Sequence, residues 1–198
     1  MITEKAIRKL DFDDIAEKIL NSYELVIKNE RYRICEIEFY CRCAEHDDRY
    51  THCSKDQQEY EKFYFHKYAT GTYKSGTYKG MDITFGNKNM YYGILIRSIY
   101  NISKNEFIEG PCRTVNKVLE LNGCQEVKEL LRPNEILSIY GDDRVRIECN
   151  RDMEFKNIYK GSRIGLSDKY PDYRDRRYRY VIYKNRIKKE RNKLELMI

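Results

Sequence analysis

The sequence predicts a single mixed α+β domain with a largely antiparallel sheet. Segments of strand and helix character follow one another without strict alternation, which argues against a doubly wound parallel sheet. Neighbouring strand-like segments are joined by turns short enough for hairpins, as at Asn29-Glu30. No linker divides the 198 residues, a length that buries a core without disulfides or metal. Residues 1–198 therefore read as one unit.

Asp11 or Asp13 is placed to cap a helix through DIAEKIL, where Ile15, Ile19 and Leu20 recur at helical spacing and Asn21-Ser22 ends the run. YELVIKN reads as a strand that turns at Asn29-Glu30 into a second strand beginning at Arg31. FYFH contains the start of another strand, with His66 read as structural, and MDITF is strand-like. YGILIRSIY is a continuous apolar strand broken only by Arg97. An arginine there requires an acidic partner from Glu36, Glu38 or Asp82. Gly110-Pro111 opens a helix through TVNKVLEL that Asn122-Gly123 closes, and QEVKELL forms a shorter helix before Pro133. ILSIYG, DRVRIEC, EFKNIYKGSRIGLS and RRYRYVIYKN read as further strands, and residues 184–198 as a basic helix or frayed tail.

Net charge is +6, an excess that fits a polyanionic partner without demanding one. Seven cysteines, an odd number within apparent strands and helices, indicate free thiols in a reducing compartment. The N-terminus lacks the apolar centre of a signal peptide, and the longest apolar runs fall well short of the ~20 residues of a membrane helix. A cytoplasmic protein, or a nuclear one in a eukaryote, is expected, with no membrane contact.

The chemistry concentrates in RYRICEIEFYCRCAEHDDRYTH, residues 31–52. In an extended strand Tyr32, Ile34, Glu36, Glu38 and Tyr40 point one way, and Arg33, Cys35, Ile37 and Phe39 the other. Two carboxylates beside a tyrosine are a costly way to fill a core face, so they call for a chemical role. The loop behind the strand brings His46, Asp47, Asp48, Tyr50 and His52. Cys41, Cys43, His46, His52 and Cys53 lack zinc-knuckle spacing, so no metal or other cofactor is expected. In GTYKSGTYKGMDITFG, Tyr73, Lys74, Tyr78 and Lys79 alternate rings with cationic groups between glycines, a pattern that suits nucleic acid as well as a plain hairpin. Paired carboxylates also suit glycoside hydrolysis, but positions i and i+2 only marginally meet its spacing.

Taken in order, CEIEFY, DDRYTH, the glycine-bearing hairpin, GILIR, GPCRTVNKVLEL and SRIGLS resemble the alkyladenine (3-methyladenine) DNA glycosylase family over roughly residues 14–183. The resemblance implies one curved mixed domain, a β-hairpin inserted into the DNA minor groove, a monomer, and double-stranded DNA as partner. It makes Glu38 the general base that deprotonates water for attack on C1′, and Arg97 the residue that holds that water and the glutamate. Tyr40 and His52 would stack on and hydrogen-bond the flipped base, and Glu36 would support. Tyr73, Lys74, Tyr78, Lys79 and Gly80 would meet DNA, with the intercalating side chain at Tyr78, Lys79 or Tyr73. Arg163 and Gly165 would lie near phosphate or shape the pocket wall.

The implied reaction is hydrolysis of an N-glycosidic bond, leaving an abasic site. With no lysine on the matched strand, a monofunctional enzyme is expected, Lys79 being the one residue that would overturn this. The family's pocket asparagine aligns near Phe85-Gly86 and has no evident counterpart there, so Asp82, Phe85 and Gly86 mark the wall where substrate choice diverges. Either an alkylated purine or a hypermodified base, such as a glucosylated cytosine of phage DNA, fits that divergence, with repair and anti-phage defence as the corresponding roles. The competing reading is a DNA-binding sensor without turnover.

Overall fold

A computed structural model describes residues 4–197. Helix α1 (Glu4–Lys9) leads into α2 (Phe12–Ser22), which is capped by Asp11 through its carboxylate and the Asp14 amide at 3.2 Å. Capping by Asp11 and the end at Ser22 agree with the sequence reading, whereas α1 was not foreseen. Ala6, Ile7 and Phe12 are buried, so the core begins earlier than residue 14.

Strand β1 (Tyr23–Ile27) pairs with the long β2 (Glu30–Cys43) as a hairpin, as expected, but the turn falls at Lys28-Asn29, one residue earlier than the sequence reading placed it, and Glu30 already pairs with Ile27. Then come β3 (His46–Asp47), β4 (Tyr60–Phe65), β5 (Met81–Phe85), β6 (Tyr91–Asn101) and β7 (Glu106–Glu109). Helix α3 (Pro111–Leu121) has Pro at its first turn and Gly123 in left-handed conformation just beyond it, followed by the short α4 (Val127–Leu130). Strands β8 (Val145–Cys149) and β9 (Tyr159–Gly161), helix α5 (Pro171–Arg174), β10 (Arg179–Val181) and β11 (Glu195–Leu196) complete the chain.

Among the described residues, eleven strands join one sheet around β2 and β6, and every pairing between them is antiparallel. The mixed α+β reading with an antiparallel sheet is thus correct. One continuous apolar core runs under α2, α3 and the inner face of the sheet. No described helix is long and apolar enough to cross a membrane.

Four expectations need correction. ILSIYG is not a ladder strand but an extended bridge: the Phe63 amide donates to Leu137 O at 2.8 Å, and the Ile139 and Ile147 amides donate to Glu61 O and Ile139 O. Only Tyr159–Gly161 of EFKNIYKGSRIGLS pairs, the rest being loop that serves the site. The basic tail neither frays nor forms an α-helix. It folds back through two single turns and adds β11 to the sheet edge, because Ile187 and Leu194 bury against Val181.

The fourth concerns β2. Ile34 opposes Ile99, Glu36 opposes Ser98 and Ile37 opposes Ile96, so Cys35 on β2 and Arg97 on β6 are each one extra residue, two bulges that cancel. Strict alternation fails at the bulge. Tyr32 and Ile34 join the apolar core with Cys35, while Glu36, Glu38 and Tyr40 share the opposite, polar environment.

Candidate active site

Register places the site. Across β10, β2, β6, β5 and β4 the residues Arg179, Glu38, Leu95, Asp82 and Tyr64 stand side by side, and directly opposed residues share a face. Glu38 and Asp82 therefore lie on either side of Leu95, two strand spacings or ~10 Å apart along the sheet. The next row aligns Tyr40, Gly93 and Thr84.

Glu36, Glu38, Arg97 and Arg179 form a buried, charge-balanced cluster. Arg97 donates from Nε to Glu36 at 3.0 Å and from Nη1 to Glu38 at 3.3 Å, as the apolar run around it required. Glu36 also accepts from Arg179 Nε at 2.8 Å and from the Ser98 hydroxyl. Burial works against the Arg97 charge, but Glu38 and Glu36 more than offset it and raise its pKa above the ordinary value. Glu38 accepts from the Ile164 amide at 2.8 Å and from the Tyr40 hydroxyl at 2.9 Å. Burial and then Glu38 push the Tyr40 phenol well up, so it stays protonated and donates.

A cavity of about 110 Å³ opens in front of Tyr40, lined by Tyr40, Tyr50, His52, Gln57, His66, Asp82, Leu95 and Leu166. Asp82 Oδ1 accepts from His66 Nε2 at 2.7 Å, and Oδ2 from Gln57 Nε2 at 3.3 Å. Gly93 makes room for this carboxylate, since a Cβ there would collide with Asp82 Oδ2 and Gln57 Nε2. Gln57 itself is fixed by the capping box of Lys55–Gln58, its carbonyl taking the Ser54 amide.

His52 stands edge-on to His66, with 4.5 Å between ring centres. Its Nε2 accepts from Lys74 Nζ at 3.1 Å, which leaves Nδ1–H to meet the Tyr64 hydroxyl at 3.3 Å. Although its outer edge is open to solvent, crowding by its neighbours and the nearby His66 and Lys74 bring its pKa down to about 4. An unfolded chain would protonate His52 near 6.5. Its contribution to stability is therefore present above that pH and is lost as the pH falls toward 4. A histidine NMR titration should give a His52 midpoint near 4 that rises in Lys74→Ala. A midpoint of 6.5 or more in the native protein would refute the neutral imidazole.

Of the sequence-derived site residues, Tyr40, His52 and Asp82 line the cavity, and Glu38 and Arg97 lie directly behind Tyr40. Three do not line it. Glu36 is held deeper by Arg97 and Arg179, Phe85 points into the core because it alternates with Asp82 and Thr84, and Gly86 packs on the Gln57 backbone. Of the two roles implied for Arg163, burial rules out phosphate contact, and its packing on the rings of Tyr40 and Tyr50 fits the other, shaping the pocket wall. Its fully buried guanidinium pairs with Asp48 at 2.5 Å, takes Phe39 O and Tyr173 O, and lies 4.5 Å from the Tyr40 ring centre. Gly165, at φ +77°, turns the loop between Ile164, which binds Glu38, and Leu166.

The β4–β5 connection departs from a plain hairpin. Lys67 bridges Tyr73, and Gly76–Tyr78 forms a single turn. Tyr73 packs against the core and under Lys67, which removes it as an intercalating side chain, whereas Tyr78 is 71% exposed. Gly80 is buried where a Cβ would strike the His66 ring, so its role is to admit that ring and not to meet DNA. Lys74 and Lys79 line a groove of about 470 Å³ that runs from Gly71 to Lys128 on the flank of α4. Sequence reasoning missed Gln57, Leu95 and Leu166 and read His66 as merely structural. Alternation was the available signal for His66, because Phe63 and Phe65 are core and put Tyr64 and His66 on the carboxylate face. Among the described residues, no group of three or more His, Cys, Asp or Glu is arranged to hold a metal ion.

No known family model matches the chain. An uncharacterized protein of Acanthamoeba polyphaga mimivirus is 41% identical over 197 aligned residues, which cover 93% of this chain and 91% of that protein. The likeness extends over nearly the whole of both chains, and this protein belongs to one family with that viral protein.

Proposed function

We propose that this protein is a monofunctional DNA N-glycosylase, akin to the alkyladenine DNA glycosylases, that flips a base into the cavity and hydrolyses its glycosidic bond. The observation that carries the reading is a buried carboxylate, Glu38, held by Arg97 and linked through Tyr40 to a cavity walled by aromatic rings. As the base departs, the sugar acquires oxocarbenium character, which a nearby carboxylate stabilises while it takes a proton from the attacking water. Glu38 uses three of its roughly four acceptor positions on Ile164, Tyr40 and Arg97, which leaves one free. Arg97 orients the carboxylate.

Tyr78 is the wedge in this reading, and the lysine-bearing groove beside it receives backbone phosphate. Tyr78→Ala should weaken duplex binding by about tenfold, the scale of one lost base–aromatic stack, and fluorescence anisotropy at fixed salt measures it. Unchanged affinity would remove Tyr78 from the interface. The proposed activity is tested by incubating the protein with alkylated, deaminated and modified duplexes, then cleaving abasic sites with alkali. Intact strands throughout would reject it. A second reading, binding without turnover, draws on the complete enclosure of Glu38 beneath Tyr40. It predicts salt-sensitive binding to distorted duplex with no abasic product.

A further inference from the structure

We propose that the cavity selects a single-ring base carrying an exocyclic amine, a cytosine-class pyrimidine, and that Asp82 is the residue that reads it; this rests on the base-excision reading of the same site. Size sets the first limit. The cavity holds about 110 Å³, less than the about 150 Å³ apolar cavity that takes one benzene, so a single ring already fills it and a fused purine would have to stand out of its mouth or push the walls apart. Tyr40 and Tyr50 offer rings to stack on, and Leu95 and Leu166 supply apolar contact.

Polarity sets the second limit. Asp82 is 2% exposed and lines the cavity, yet only two of its roughly four acceptor positions are used, by His66 Nε2 and by the long bond from Gln57. A carboxylate only accepts, so what meets it must donate. Cytosine offers its N4 amine, the established partner of Asp and Glu, whereas uracil and thymine put the O4 acceptor in that place and would be repelled. The carboxylate cannot turn away from this task. His66 pins one oxygen, Gln57 is locked by its capping box, and Gly93 leaves space for Oδ2 that no other residue would.

His66 also fixes what a substitution would do. In Asp82→Asn its Nε2–H keeps the amide oxygen at the Oδ1 position, so the NH2 group faces the cavity at some cost to the Gln57 bond. That donor suits a keto group and not an amine.

The probes are duplexes carrying one central unpaired cytosine, uracil or adenine, plus an abasic duplex as control. Binding is read by anisotropy and released base by mass spectrometry. The native protein should favour cytosine over uracil by about tenfold or more, with adenine weaker than cytosine. Asp82→Asn should reverse the cytosine-to-uracil order, each affinity read relative to that of the same protein for the abasic duplex. An equal ratio in both proteins overturns the inference, and so does release of purines alone, which would leave base excision standing. Cytosine preference in binding with no release from any duplex would support Asp82 and reject excision. Absence of binding to every duplex overturns both. Should Asp82→Asn fail to fold, the native cytosine-to-uracil ratio decides alone.

Discussion

Glu38→Gln is expected to lower base release by about 10²- to 10⁴-fold, the usual contribution of a positioned general base, while retaining duplex binding. The isosteric amide can still accept from Ile164 through its oxygen, but it cannot take a proton from water. Its NH2 group also replaces the oxygen that receives Tyr40 and Arg97, two donors it cannot satisfy. The variant should therefore be somewhat less stable, with Arg97 still paired to Glu36 and the sheet intact. Single-turnover release and thermal melting of the same preparation separate the two effects. Undiminished release by folded Glu38→Gln would sink the water-activation mechanism.

Much of this arrangement was legible from local pattern. The apolar run around Arg97 demanded an acid, and both glutamates of CEIEFY answer it. The caps at Asp11, Gly110-Pro111 and Gly123 marked helices that the fold contains, because capping depends on a few neighbouring residues. What escaped depends on long-range register. The bulge at Cys35 is compensated 62 residues later at Arg97, and no local periodicity reveals a cancellation between two strands. Gln57 enters the cavity only because a capping box turns its amide toward β5, and Leu166 because Gly165 bends its loop. The C-terminal residues read as solvated by charge, yet two apolar side chains, Ile187 and Leu194, were enough to fold them onto Val181.

Arg163→Met should cost about 3–5 kcal/mol of stability, the loss expected when one partner of a buried pair is removed. The resemblance placed the basic residue of SRIGLS near phosphate or on the pocket wall, and it is the wall that it serves: Arg163 and Asp48 are both fully enclosed, and the side chain cross-links three segments through Asp48, Phe39 O and Tyr173 O. Truncating it would leave Asp48 buried and short of donors, with only the Tyr50 amide at 3.2 Å remaining on its side chain. The guanidinium also lies against the rings of Tyr40 and Tyr50 at 4.5 and 5.6 Å, so the wall of the cavity should loosen with it. Urea unfolding measures the stability, and the double variant Asp48→Leu with Arg163→Met distinguishes the causes, since removing both charges should restore part of the loss. A single variant as stable as the native protein would mean that Arg163 is not the clamp of this wall.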